Sequence, residues 1–276
     1  MTKTVQESEI RLGHHTTPAG VGLEFADRGR EDGPAVMLLH GVTDSWRSFE
    51  GVMRLLPGSI RAVALSQRGH GGSDCPEERY RTRDFAADAV ALADGLGIDR
   101  FVLVGHSMGA ANAVRIAIDV PERVAGLGLA GAFARFGTNA GVVDFYETQI
   151  RSLRDPIDPA TAREFQAATL AQPVAPEFFE MVVGESLRVP ARVWRSAFEG
   201  LLEDDFADEL AGVRAPTRLW WGDRDVFSLR GDQQALLDGI RGSRLSVYER
   251  AGHGLHWENP RRFARDVEDL VETAFG

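Results

Sequence analysis

Short unbroken apolar runs alternate with amphipathic stretches through the first half of the chain. The runs Ala35 to Leu39, Arg61 to Leu65, Arg100 to Val104 and Val124 to Leu129 have the length and continuity of strands buried on both faces of a sheet. Between them, Ser45 to Leu56, Thr82 to Leu96 and Met108 to Ile118 read as helices, and Pro57-Gly58, Gly97 and Asp119 to Pro121 supply the stops. Two further strands, Glu9 to Leu12 and Gly22 to Asp27, precede this series, joined by a turn over His14 to Gly20 in which Pro18 and Gly20 are the breakers. From Phe133 to Leu210 no strand pattern occurs. Proline-broken segments there predict helices at Gly141 to Leu153, Pro159 to Ala171, Pro176 to Leu187 and Pro190 to Leu202. The alternation resumes with strand Thr217 to Trp221, helix Gln233 to Ile240, strand Arg244 to Glu249 and helix Arg261 to Phe275. Asn259 is expected to be the N-cap of that last helix, with Pro260 at its first position.

Strand and helix in alternation, with buried strands, predict right-handed crossovers and an α/β fold whose mostly parallel central sheet is flanked by helices. The helical interruption is most simply a lid inserted over the strand ends. The expected organisation is a core of residues 1–131 and 211–276 with a helical cap of residues 132–210.

Composition narrows the partners. The 276 residues, 43% hydrophobic, suffice for one domain with a substantial insertion. A net charge of −10 disfavours nucleic acid or an anionic membrane surface, which both reward a basic face. A single cysteine, Cys75, excludes an internal disulfide framework and leaves too few thiolates for a structural zinc site. The segment Met1 to Glu9 has no apolar leader core, and no run is long enough to span a bilayer, so a cytoplasmic protein is expected. His14 and His15 have no carboxylate at ligand spacing and are expected to be exposed polar residues.

One stretch carries chemistry by itself. Gly105-His106-Ser107-Met108-Gly109 lies where a buried strand gives way to an Ala-rich helix. A serine on so sharp a turn is strained and exposed, and glycines two before and two after it remove the Cβ atoms that would collide. The helix N-terminus behind it offers free N–H groups and a partial positive charge to an oxyanion. A serine hydroxyl is a weak nucleophile without a base and an orienting group. In a parallel sheet those belong just past the C-terminal ends of later strands. Gly222-Asp223-Arg224-Asp225 and Arg250-Ala251-Gly252-His253-Gly254 are the two turns that qualify.

With these turns the chain resembles the α/β-hydrolase family, in which the order is serine, acid, histidine. The resemblance rests on His40-Gly41, Arg68-Gly69-His70-Gly71, the serine elbow, Gly222-x-x-Asp225 and Gly252-His253, and covers most of the chain outside the lid. It implies Ser107 as nucleophile, His253 as general base and Asp225 as orienting acid, with Asp223 a turn residue. His256, one helical turn after His253, is then a pocket or surface group, and His40 and His106 are structural. The oxyanion hole falls to the backbone N–H groups of Val42 and Met108. Two positions depart from the family pattern: Ser66, where aspartate is frequent, and Ala110, where a further glycine is common. Serine rather than aspartate at position 107 excludes the epoxide-hydrolase and haloalkane-dehalogenase members.

What the resemblance leaves is acyl chemistry. The expected activity is cofactor-independent hydrolysis of a carboxylic ester or lactone with an apolar acyl part, with no metal and no organic cofactor, in a monomer or homodimer. Carbon–carbon hydrolysis of a diketone by the same triad is the alternative within catalysis. A hydrolase-like sensor that acts by binding a small molecule is the alternative outside it. The cap is rich in aromatics, including Phe133, Phe136, Phe145, Phe165, Trp194 and Phe198. Phe133, Phe136, Phe145 and Trp194, with Trp46 and Leu255 from the core, are expected to bind substrate above Ser107.

Overall fold

The four continuous apolar runs form the middle of one sheet, where both faces are covered. A computed structural model describes residues 9–276, so the reading of Met1 to Ser8 as leaderless lies outside the described residues. The strands are β1 (Arg11–Thr16), β2 (Gly22–Arg28), β3 (Ala35–Leu39), β4 (Arg61–Leu65), β5 (Phe101–His106), β6 (Val124–Ala130), β7 (Thr217–Gly222) and β8 (Arg244–Tyr248). They lie in the order β1-β2-β4-β3-β5-β6-β7-β8. Both pairings of β2 are antiparallel and the remaining five are parallel. Every residue of β3, β4, β5 and β6 is buried, whereas the edge strand β1 is largely exposed.

Period-two alternation divides those strands between two cores. Met37, Leu39, Val63, Leu65 and Leu103 face α2 (Thr82–Gly95), α3 (Met108–Asp119) and the cap helices. Val36, Leu38, Ala62, Ala64, Val102 and Val104 face α1 (Glu50–Leu55) and the closing helix Pro260–Phe275. Between β6 and β7 the chain forms α4 (Ala140–Phe145), α5 (Pro159–Ala168), α6 (Pro176–Arg188) and α7 (Ala191–Glu203), of which α5 and α7 bring residues to the cavity that holds Ser107. No helix is long and apolar enough to cross a membrane among the described residues.

Local differences from the sequence reading have local causes. The first strand runs four residues beyond Leu12, to Thr16, and takes in His14 and His15, because pairing from Arg11 against Asp27 to Thr16 against Gly22 extends it. Ser45 caps a 3-10 turn, Trp46–Phe49, before α1 begins, so Ser45 to Leu56 is not one α-helix. Gly141 to Leu153 likewise splits, α4 passing into a wider turn at Tyr146–Ile150. The helix α8 (Arg230–Gly239) starts before Gln233 because Asp232 accepts the Leu229 N–H at 2.6 Å. After the short α9 (Leu255–Glu258) comes α10 (Pro260–Phe275), with Pro260 in its first turn, but the Asn259 side chain makes no capping bond.

Candidate active site

At the end of β5 the backbone turns through Ser107 at φ 54°, ψ −117° and enters α3. Left-handed φ in a residue with a Cβ is strained, and the surroundings hold it there. The Ser107 N–H donates to Ala130 O at 2.9 Å, and the Ser107 carbonyl accepts from Ala110 and Ala111. A Cβ at Gly105 would come within 2.1 Å of Gly109 O, and one at Gly109 within 2.0 Å of Leu39 O. The first glycine therefore lets helix close on strand, and the second lets the helix close on the neighbouring strand β3.

Past β7 and β8 the two other turns converge on this point. His253 Nδ1 donates to Asp225 Oδ2 at 2.7 Å, with both side chains almost fully buried. The other oxygen, Asp225 Oδ1, accepts the N–H groups of Phe227 (2.8 Å) and Ser228 (2.9 Å). Three donors thus fix the carboxylate, and with Nδ1 protonated the Nε2 of a neutral His253 carries the lone pair. Asp223 instead accepts the Arg250 N–H at 2.6 Å and holds the β8 turn. Neither the Val42 nor the Met108 N–H donates to an acceptor among the described residues. Met108 opens the twelve-residue helix α3, whose dipole favours negative charge at that end.

Four other histidines are buried and held neutral. His40 donates through Nδ1 to Gly41 O and accepts the Gln67 N–H, and burial together with nearby His70 holds its pKa well below the ordinary value. Burial lowers His70 to about 4 and His256 to about 3. Burial, then the neighbouring rings of His256 and His253, depress His106. His256 is neither at the surface nor in the cavity: its Nε2 meets Ser48 Oγ at 3.0 Å and its ring packs on Phe49 and His106.

Ser107 and His253 share one cavity under the cap with Gly41, Val42, Asp44, His106, Phe136, Phe165, Gln166, Thr169, Phe198, Leu201, Phe227 and Trp257. Of the six residues expected to contact substrate, Phe136 lines this cavity and the other five do not. Phe133 stacks behind Phe136 at 4.1 Å. Phe145 packs around Phe165, Phe198 and Phe227, and Trp194 lies edge-on to Phe165 at 5.2 Å. Trp46 and Leu255 belong to the core on the α10 side of the sheet. The sequence reading did not single out Asp44, Gln166, Thr169, Phe227 or Trp257. Asp44, a carboxylate two residues after Val42 and so beside the expected oxyanion hole, was the detectable signal.

A serine on a strained elbow, a carboxylate-bound imidazole in the same cavity and free N–H groups at a helix end define the class of hydrolytic α/β enzymes. The family model for the alpha/beta hydrolase fold matches residues 34–260, and the chain belongs to that family. It is 28% identical to a 2-hydroxy-6-oxononadienedioate/2-hydroxy-6-oxononatrienedioate hydrolase of Pseudomonas putida, over 97% of this chain and 94% of the relative. It is 26% identical to a 3-oxoadipate enol-lactonase of Acinetobacter baylyi, over 93% and 95%. The fold is shared with an esterase from Exiguobacterium antarcticum at TM-score 0.84 and 24% identity, covering 94% of this chain and 98% of that one.

Proposed function

We propose that this hydrolase acts on an uncharged carboxylic ester or lactone with an apolar acyl part. The observation that carries the reading is Ser107, held at φ 54° and sharing its cavity with a His253 whose Nδ1–H goes to Asp225 at 2.7 Å. Ser107 Oγ attacks the carbonyl carbon while its proton passes to His253 Nε2, and the carbonyl oxygen takes up negative charge beside the N–H groups of Val42 and Met108. The C–O bond to the alcohol then breaks, His253 returns the proton to the departing oxygen, and the acyl group stays on Ser107. A water molecule, deprotonated by His253, attacks the acyl carbon and frees the acid and the serine. No step calls for a metal or an organic cofactor.

Charge supports the ester or lactone over a carboxylate-bearing diketone, although carbon–carbon cleavage would use the same three side chains. The Pseudomonas putida relative is named for a dioate. Among the described residues, no Arg or Lys lines the present cavity, and Asp44 does. A carboxylate brought there would be stripped of water with no cation to meet it.

The test is a fluorophosphonate probe with a screen of p-nitrophenyl esters and γ-lactones. One adduct on Ser107 is expected, and Ser107→Ala is expected to lower turnover by a factor on the order of 10⁶. An adduct elsewhere, or more than about a hundredth of the activity surviving in Ser107→Ala, would remove the nucleophile assignment. Tight binding without repeated turnover would favour the sensor reading.

A further inference from the structure

The apolar cavity has one polar corner whose hydrogen bonds do not close on themselves. Gln166, on α5 of the cap and 1% exposed, gives its two amide hydrogens to Asp44 Oδ1 at 3.0 Å and Ser186 Oγ at 2.8 Å. Its carbonyl oxygen, Oε1, is buried without any partner. His106, 2% exposed, faces its Nε2 to the carbonyl oxygen of His253 at 3.0 Å, so Nε2 carries the hydrogen and Nδ1 is a bare acceptor. That Nδ1 is also buried without a partner. A Cβ on Gly41 would meet His106 Nδ1 at 2.9 Å and Asp44 Oδ2 at 3.3 Å, so both atoms pack close against the same glycine. Gly41, Asp44, His106 and Gln166 all line the cavity that holds Ser107.

The turn that presents Asp44 is itself strained. Thr43, β-branched, sits at φ 71° and is held by a 3.0 Å hydrogen bond between its Oγ1 and Ser186 Oγ of the cap. Buried polar groups in native proteins are almost always satisfied, and here two residues that line one cavity each keep a buried acceptor without a donor. A carboxylate or a ketone brings none.

Resting on the ester or lactone reading above, we infer that Asp44, Gln166 and His106 form a subsite for a hydroxyl group of the substrate, making the enzyme selective for hydroxy-substituted esters or lactones. A hydroxyl both donates and accepts. It can give its hydrogen to Gln166 Oε1 or His106 Nδ1 and take one from Asp44. Burial, opposed in part by Gln166 and Ser48 and aided by Glu185, pushes the Asp44 carboxyl up to about 8, so it carries a proton to give at neutral pH.

Matched esters test this by pH-stat titration: butyl 3-hydroxybutanoate against butyl butanoate for the acyl side, and 2-hydroxyethyl butanoate against propyl butanoate for the alcohol side. In one pair the wild-type kcat/KM is expected to favour the hydroxy ester by at least ~10-fold, since a site built to bond a hydroxyl penalises its loss. Gln166→Met and Asp44→Leu, each of which removes the hydrogen-bonding group, are expected to bring that ratio down towards one. A wild-type ratio near one in both pairs, a ratio unmoved in the variants, or a stronger preference for the 2-aminoethyl ester would overturn the subsite. Isothermal titration of Ser107→Ala with the same esters reads the preference without turnover, and equal affinities for hydroxy and deoxy forms overturn it too. Failure of the hydrolase reading looks different: no ester is turned over and the fluorophosphonate leaves Ser107 unlabelled.

Discussion

Replacing Asp225 by asparagine separates holding the loop from holding the imidazole. The carboxylate makes three bonds, two from the N–H groups of Phe227 and Ser228 to Oδ1 and one from His253 Nδ1 to Oδ2. Asparagine keeps an oxygen for the two backbone donors, so the turn survives. It places an NH₂ where Oδ2 was, and His253 can meet that donor only by moving its hydrogen to Nε2, the atom proposed above to take the serine proton. The expected loss in kcat is roughly 10⁴, about 5.5 kcal/mol of transition-state stabilisation, with little change in melting temperature. Asp225→Ala is expected to lose the same activity and stability besides, because two buried N–H groups are orphaned at about 1–3 kcal/mol each. Asp223→Asn keeps the acceptor for the Arg250 N–H and is expected to stay within about threefold of wild type in kcat, because the surface bond is modest and remains made. Initial rates on p-nitrophenyl butyrate, with thermal unfolding of each variant, supply both readouts. A larger loss in Asp223→Asn than in Asp225→Asn would refute the reasoning.

The cap aromatics divide by position. Phe136 lines the cavity, so Phe136→Ala is expected to shift the kcat/KM ratio between long and short acyl esters, each buried CH₂ being worth about 0.8 kcal/mol. Trp194 is fully buried outside the lining, so Trp194→Ala is expected to cost roughly 3–5 kcal/mol of stability with that ratio kept. Selectivity moving with Trp194 and not with Phe136 would contradict the assignment. Stability is expected to peak near neutrality. The depressed His40, His70, His106 and His256 refuse protons that the unfolded chain binds below its pKa of about 6.5. Their contribution is present above that pH and lost as pH falls, at up to about 1.4 kcal/mol per pH unit each. Asp44, raised to about 8 by burial, has the opposite sign: its contribution is fully present below the unfolded carboxyl value and is lost progressively as pH rises from there through about 8. Urea unfolding across pH 5 to 9 is expected to show both arms, the alkaline one shrinking in Asp44→Asn, and equal stability at pH 7 and 8.5 in the wild type would contradict the Asp44 argument.

The sheet was legible because its order is written in continuous apolar runs, and the elbow because strand, glycines, serine and helix lie within one short stretch. Whatever depends on packing between distant segments was not. Composition could not rank Phe136 above Trp194, because the rotation of each cap segment decides which ring meets the cavity. Nor could it find Gln166, whose partner Asp44 lies more than a hundred positions earlier.

Ser66 makes the same point about a motif, because the aspartate frequent there in the family is missing from this chain. In the fold, Ser66 Oγ donates to Glu24 Oε2 at 2.9 Å, and the Gly72 N–H donates to the same oxygen at 2.9 Å. The carboxylate of that turn thus comes from β2, which pairs with β4 beside it. A motif scan registers a departure at position 66, whereas the physical requirement, an acceptor for the turn's donors, is met from another strand. Restoring the family's residue is therefore expected to harm this chain. Ser66→Asp removes the hydroxyl donor and sets a second carboxylate against Glu24, in a position where Ser66 is fully buried. The expected loss is about 1–3 kcal/mol at pH 7 by urea unfolding, the range for a buried polar group deprived of its partner. Ser66→Asp with Glu24→Gln, which turns one carboxylate into a donor for the other, is expected to recover most of it. A Ser66→Asp variant as stable as the wild type would show that the turn does not draw its acid from Glu24.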